Sequence, residues 1–436
     1  MLLVDARAGR FTMKLTDQRS KLRVAPLRHA RLPILYWLAL LVVLVGCGAP
    51  PEPPTLDTTV TFTQEAAAEL PAARTYRIGM NTEVTGAGAQ IGDLSIRAAR
   101  LAIEEINAAG GVNGIPLELV VRDSRSDPDV ALEQYRAAIA EDDLAALLGP
   151  FKSAYAVRIV PEHRNTTLPM LIGATNATLT QQGDTNLFRM RPSDKLTAAA
   201  IVALAVERLN AQRIGIIHDA DAFGSGGAQQ VATYLAQRGL SAAAQESYTT
   251  GAREFDAQVQ AMLAADIDAL LIYGTNSTDV GVLLRSVRYW KLDVPIITSP
   301  GGASPVTRNV AAEAQDGIYV AADAVFSATP EGQRFEQAFV ERFDLQPDTY
   351  IAWYYDAIYM LANALRDHGP EPQALSRALR DTTFVGAQGA YRFDDAGEGL
   401  HRVTLARMAQ GKATPVGVYD VAGFVSASSE TAHVTD

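Results

Sequence analysis

The stretch Ile91-Gly-Asp-Leu-Ser-Ile-Arg-Ala-Ala-Arg-Leu-Ala-Ile-Glu-Glu-Ile-Asn-Ala-Ala-Gly-Gly-Val-Asn-Gly-Ile-Pro-Leu117-Glu-Leu-Val-Val121 reads as a helix, a break and a buried strand. Ile96, Ala99, Ile103 and Ile106 recur at helical spacing, so one face of a helix over 91–109 is apolar. Gly110-Gly111 follows the last periodic residue. Glycine there accepts the left-handed conformation that ends a helix. Leu117–Val121 is then a short apolar run of strand length.

The same alternation extends both ways. Tyr76–Met80 reads as a strand, with Gly86 and Gly88 in the loop after it. Asp127-Pro-Asp129 opens a helix to about Glu141, and Ala145–Leu148 and Pro169–Ile172 read as buried strands. A second series begins at the strand Arg213–Ile217, followed by Gly224-Ser-Gly-Gly227 and a helix to Arg238. Strands at Ala269–Tyr273, Pro295–Thr298 and Gly317–Ala321 follow, with a helix over 278–289 between the first two. Three helices are expected after them, over 331–343, 349–367 and 372–380. Short apolar strands alternating with helices imply parallel sheets covered on both faces, and two series imply two α/β lobes. Ligands of such sheets bind at the carboxyl ends of strands. That selects the loops after Met80, Leu148, Ile172, Ile217, Tyr273 and Thr298.

Composition narrows the function. The 436 residues carry 38 Lys and Arg against 49 Asp and Glu, a net charge of −11. An acidic chain is poorly suited to bind nucleic acid through phosphates. Its one cysteine, Cys47, allows neither an internal disulfide nor a cysteine-rich zinc site.

The first residues differ from the rest. Residues 1–31 hold eight basic residues, and the apolar run Ile34–Val45 then leads to Gly46-Cys47. A basic region, a short apolar region and small residues describe a secretory signal. The run is short of the roughly 20 residues a spanning helix needs. Leu44-Val45-Gly46-Cys47 resembles the lipobox of bacterial lipoproteins, which implies cleavage before Cys47 and its lipidation. A signal with an incidental cysteine, or an uncleaved anchor, is the alternative, and Met13 competes with Met1 as the start. Residues 47–74, rich in Pro, Thr and Ala, read as a flexible tether, and 426–436 as a polar tail.

Four further stretches resemble the leucine/isoleucine/valine-binding proteins that serve ABC importers. They are Glu104–Leu117, Asp123-Ser-Arg-Ser-Asp-Pro128, Leu168-Pro-Met-Leu-Ile-Gly-Ala-Thr-Asn-Ala-Thr-Leu-Thr180 and His218-Asp-Ala-Asp-Ala-Phe-Gly-Ser-Gly226. Their order and spacing carry the resemblance, over about Tyr76 to Val421. It implies a type I periplasmic-binding-protein fold: two three-layer α/β lobes with parallel sheets, joined by a three-strand hinge. Signal and tether would occupy 1–46 and 47–74. Lobe I would comprise 75–190 and 320–390, and lobe II 191–319 and 391–425. The crossings are expected near Arg189–Arg191, Gly317–Asp323 and Tyr391–Phe393.

The resemblance also implies a site. A ligand carboxylate would be held by the Ser153 hydroxyl, by backbone groups of Gly173 and Ala174, and by the Thr175 hydroxyl. Hydroxyls and amide hydrogens at helix N-termini suit an anion, although both hydroxyls could equally serve as helix caps. Where the family places an acid for the ligand's ammonium, this chain has Gly301. Two family tyrosines appear as Ile91 and Phe223, and a third aligns near Asn276. Asp279 and Asp323 are candidate replacement acids. Glu83 and Lys152 are expected to be solvated.

No phosphate loop, dinucleotide fingerprint or nucleophile elbow is present, and the six histidines lack metal-ligand spacing. The aromatic run Tyr350–Asp356 is expected to be helical core. No cofactor is called for, and an enzyme is disfavoured. The expected protein is a monomeric, extracytoplasmic solute-binding lipoprotein that partners a small amino acid or other carboxylate, ABC permease subunits and, through its lipid, the membrane. A ligand-sensing receptor of the same fold, or a binder of ammonium-free aliphatic or aromatic carboxylates, is the alternative.

Overall fold

A computed structural model describes residues 75–141, 143–420 and 423–426, all within one compact unit, Glu69–Asp436. The signal, Cys47, the whole tether and residues 427–436 lie outside the described residues. Among the described residues no helix is long and apolar enough to cross a membrane.

The first sheet has five strands: β1 (Tyr76–Thr82), β2 (Leu117–Asp123), β3 (Ala146–Leu148), β4 (Met170–Ile172) and β5 (Leu187–Arg189). Their order is β2-β1-β3-β4-β5, all parallel. The crossover helices are α1 (Ala89–Ala108), α2 (Pro128–Glu141) and α3 (Ser153–His163). Ile96, Ala99, Ile103 and Ile106 of α1 are all buried, as the spacing required. Gly110 and Gly111 have φ of 100° and 74°, the left-handed conformation that releases the chain from α1.

From β5 the chain passes to α4 (Asp194–Ala203) and a second sheet. That sheet contains β6 (Ile214–Asp219), β7 (Ala244–Tyr248), β8 (Ala269–Tyr273), β9 (Ile296–Thr298) and β10 (Tyr319–Ala322), parallel in the order β7-β6-β8-β9-β10. Helices α5 (Ala222–Ala236), α6 (Asp256–Ala264), α7 (Ser277–Tyr289) and α8 (Pro305–Ala311) connect these strands.

After β10 the chain returns to the first lobe with α9 (Pro330–Phe343), α10 (Ala352–His368), α11 (Pro372–Asp381) and the hairpin β11 (Thr383–Val385) and β12 (Ala390–Arg392). Trp353, Tyr354 and Leu361 of α10 are fully buried in one core with Ile96 and Ile103 of α1. Tyr391, Phe393 and Leu400 belong to that core too. Phe393 stacks edge-on against Phe188 at 5.0 Å. The third passage between lobes therefore follows Leu400, later than the expected Tyr391–Phe393.

The last strands, β13 (Arg402–Ala409), β14 (Lys412–Asp420) and β15 (Gly423–Ser426), join β10 antiparallel. The second sheet is thus mixed rather than wholly parallel. Short turns between β13, β14 and β15 permit only antiparallel pairing, since a parallel pair needs a long crossover.

Candidate ligand pocket

A cavity with about 370 Å³ of space free of protein atoms, part of it open to solvent, lies between the lobes. Strand ends build most of it. Phe151, Lys152 and Ser153 follow β3, and Thr175 follows β4. Phe223 follows β6, Gly274 and Thr275 follow β8, and Pro300 and Gly301 follow β9. Arg191, on the first passage between lobes, and Tyr350, just before α10, complete the wall.

Ser153 is the first residue of α3, so its hydroxyl stands where unpaired N–H groups and the helix dipole favour negative charge. Its Oγ accepts the Asn176 N–H at 3.2 Å, which leaves the hydroxyl proton to be donated. Thr175 is buried, and its Oγ1 makes no hydrogen bond of ordinary geometry among the described residues, though it lies beside the Asp194 carboxyl, whose pKa burial raises and this hydroxyl lowers. The Thr175 carbonyl accepts the Asp194 N–H at 2.8 Å, which ties the loop to the start of α4.

The other predicted residues divide. Phe223 and Gly301 line the cavity; Phe223 stands in the first turn of α5 rather than in a loop, because Asp221 caps that helix through the N–H groups of Phe223 and Gly224. Its ring lies 5.0 Å from that of Tyr273. Ile91 and Asn276 line an adjoining cleft instead, and Asn276 Oδ1 caps α7 through the Thr278 N–H at 2.8 Å. The Ala174 N–H is spent on the Pro150 carbonyl at 3.1 Å, and its carbonyl takes Arg189, so neither is free for a ligand. The Gly173 carbonyl accepts Arg191 Nη1 at 2.8 Å, and Trp353 packs where a Gly173 side chain would be.

Asp279 stays outside the cavity wall and accepts the Gly251 N–H at 2.6 Å. Asp323 forms a buried ion pair with Arg191. Burial pushes the Asp323 carboxyl up, and the guanidinium beside it pulls it back down. Glu83 is only 3% exposed, not solvated: Lys152 Nζ reaches it at 2.6 Å and the Tyr155 hydroxyl at 2.8 Å. Burial pushes Asp194 up to about 7; its Oδ1 accepts the Tyr273 hydroxyl at 3.2 Å, and its Oδ2 has no partner.

Arg191 and Tyr350 were not expected in the site: Arg191 follows β5, a strand the sequence reading did not mark, and Tyr350 follows no strand. The guanidinium lies 4.6 Å from the Phe151 ring centre and 5.6 Å from that of Tyr350, so the cation and both rings form one wall. Tyr350 is buried in the core with Trp353 and Tyr354, as the aromatic run was expected to be, but it precedes α10, lines the cavity and hydrogen-bonds Ser277 across the cleft.

The family model for a periplasmic binding protein matches residues 75–413. The chain belongs to the periplasmic binding protein family. Among its relatives, the leucine-, isoleucine-, valine-, threonine- and alanine-binding protein of Pseudomonas aeruginosa is 26% identical, over 75% of this chain and 88% of that protein. The branched-chain amino acid transporter substrate binding protein LivJ of Streptococcus pneumoniae, solved with isoleucine, has a TM-score of 0.71 at 24% identity, covering 81% and 100% of the two chains. An R. palustris ABC-transporter solute binding protein solved with benzoate has a TM-score of 0.73 at 17% identity, covering 81% and 98%. At those identities the structures speak for the fold, which is the type I periplasmic-binding-protein fold. The family's members are substrate-binding proteins of ABC transporters, so this binding protein is not an enzyme, and its family is extracytoplasmic.

Proposed function

We propose that this protein captures a small carboxylate-bearing solute between its lobes and delivers it to the permease of an ABC importer. One observation carries the reading: the buried Thr175 hydroxyl, free of any hydrogen bond of ordinary geometry among the described residues, and the Ser153 hydroxyl at the start of α3 line the same cavity. A carboxylate would satisfy both. Phe151, Phe223, Pro300 and Tyr350 offer the ligand's other end an apolar surface. The relatives' names supply hydrophobic amino acids as the nearest ligand class.

Hinge motion about the three passages would close the lobes on the ligand, a mode binding proteins use. The lipobox-like Leu44–Cys47 supports anchoring by a lipid on Cys47, with the body acting as a monomer outside the membrane. Thermal shift of the purified protein tests the binding reading. Carboxylates should raise Tm by mass action while their amides do not; equal shifts for both would remove the carboxylate site. Release of a Cys47→Ser variant from the membrane fraction would support the anchor, and unchanged fractionation would oppose it.

A further inference from the structure

The charges around the cavity argue against a ligand that bears an ammonium group. Among the described residues no Asp or Glu lines the cavity, whereas Lys152 and Arg191 both do. Of the carboxylates nearby, Asp194 and Asp348 each keep one oxygen without a partner among the described residues, but both are fully buried and neither lines the cavity; the others are engaged. Glu83 holds Lys152 and Tyr155. Asp323 holds Arg191. Asp221 accepts the N–H groups of Phe223 and Gly224 and the Thr275 hydroxyl at 2.8 Å. Asp279 accepts the Gly251 N–H. The Gly173 carbonyl, next but one to Thr175, accepts Arg191 Nη1 at 2.8 Å. The guanidinium therefore stands at an acceptor that an ammonium beside a bound carboxylate would seek. A second cation there would face Arg191 at short range, and burying it unpaired costs several kcal/mol.

Resting on the carboxylate reading above, we propose that the ligand is an aliphatic or aromatic monocarboxylate without an α-ammonium, selected by the built-in Arg191 cation and by glycine at 301. Position 301 is where specificity can be reset. A Cβ there would meet its nearest atoms, the Gly274 carbonyl oxygen and Ser277 Oγ, at 3.4 and 3.8 Å, ordinary contact distances. A side chain can therefore start from position 301 without displacing backbone.

Calorimetry on the full chain in detergent, with matched pairs, tests this. The pairs are 4-methylpentanoate with L-leucine and 3-phenylpropanoate with L-phenylalanine. The expected result is that the ammonium-free member of a pair binds at least about 100-fold more tightly, the factor an unpaired buried charge implies. Gly301→Glu should narrow or reverse that ratio by raising amino-acid affinity. Amino acids that bind as tightly as their ammonium-free partners would overturn the proposal and leave the carboxylate pocket standing. Absence of binding by all four acids would overturn the pocket reading and the proposal together.

Discussion

Thr175 and Ser153 are small residues whose surroundings determine their use. One hydroxyl is buried with no hydrogen bond of ordinary geometry among the described residues, and the other accepts a bond but has its proton free. Each charge-assisted bond to a carboxylate contributes about 1.5–3 kcal/mol. The double variant Ser153→Ala, Thr175→Ala should thus weaken a carboxylate ligand by about 100-fold or more, while Tm without ligand changes little. Unchanged affinity by calorimetry would place the anion elsewhere. Asp194 allows a pH test at the same scale. Its folded pKa, about 7, lies above the ordinary 3.8 because burial disfavours the charge. The native state then binds more protons than the unfolded chain, so this contribution is complete below pH 4 and is lost as pH rises to about 7. Asp194→Asn cannot ionise. Its Tm should gain on the wild type between pH 4 and 7, and the difference should level off above; a pH-independent difference would assign Asp194 an ordinary carboxylate.

At the scale of elements, loop length and cap chemistry place the strand ends together. Helix α5 lies so close to β8 that a Cβ at Gly227 would come 2.0 Å from the Tyr273 ring. Gly227→Ala should destabilise by about 1–3 kcal/mol through overpacking, measured by urea unfolding; a neutral effect would mean that the contact relaxes easily. The elements were legible in sequence wherever an apolar period was strong. Ile96, Ala99, Ile103 and Ile106 marked α1 correctly, and Gly110-Gly111 its end. The exposed edge strand β7, with only Tyr248 buried, lacked a continuous apolar run. The antiparallel β13–β15 continued the sheet without helices between them, so alternation did not reveal them.

Across the whole molecule, the buried Arg191–Asp323 pair joins the first passage between lobes to the second. Breaking one side leaves a buried unpaired charge and costs about 3–5 kcal/mol, while replacing both with apolar residues costs far less. Arg191→Met alone should therefore be more destabilising than Arg191→Met with Asp323→Leu. The four-variant unfolding cycle checks this, and additive effects would mean that the pair carries no coupling.

Sequence alone determined the α/β alternation, the two series and the strand-end loops, because periodicity and glycine breaks are local properties. From those loops came Ser153, Thr175, Phe223 and Gly301, which line one cavity. Tertiary structure decided the rest. It set Ile91 and Asn276 in the adjoining cleft, spent the Ala174 amide on Pro150, and turned Asp279 to Gly251. It also carried Arg191 to Asp323 and Tyr350 to Ser277, residues 132 and 73 positions apart in the chain. No local pattern encodes such pairs, since the partners of a buried charge are chosen by how distant segments pack.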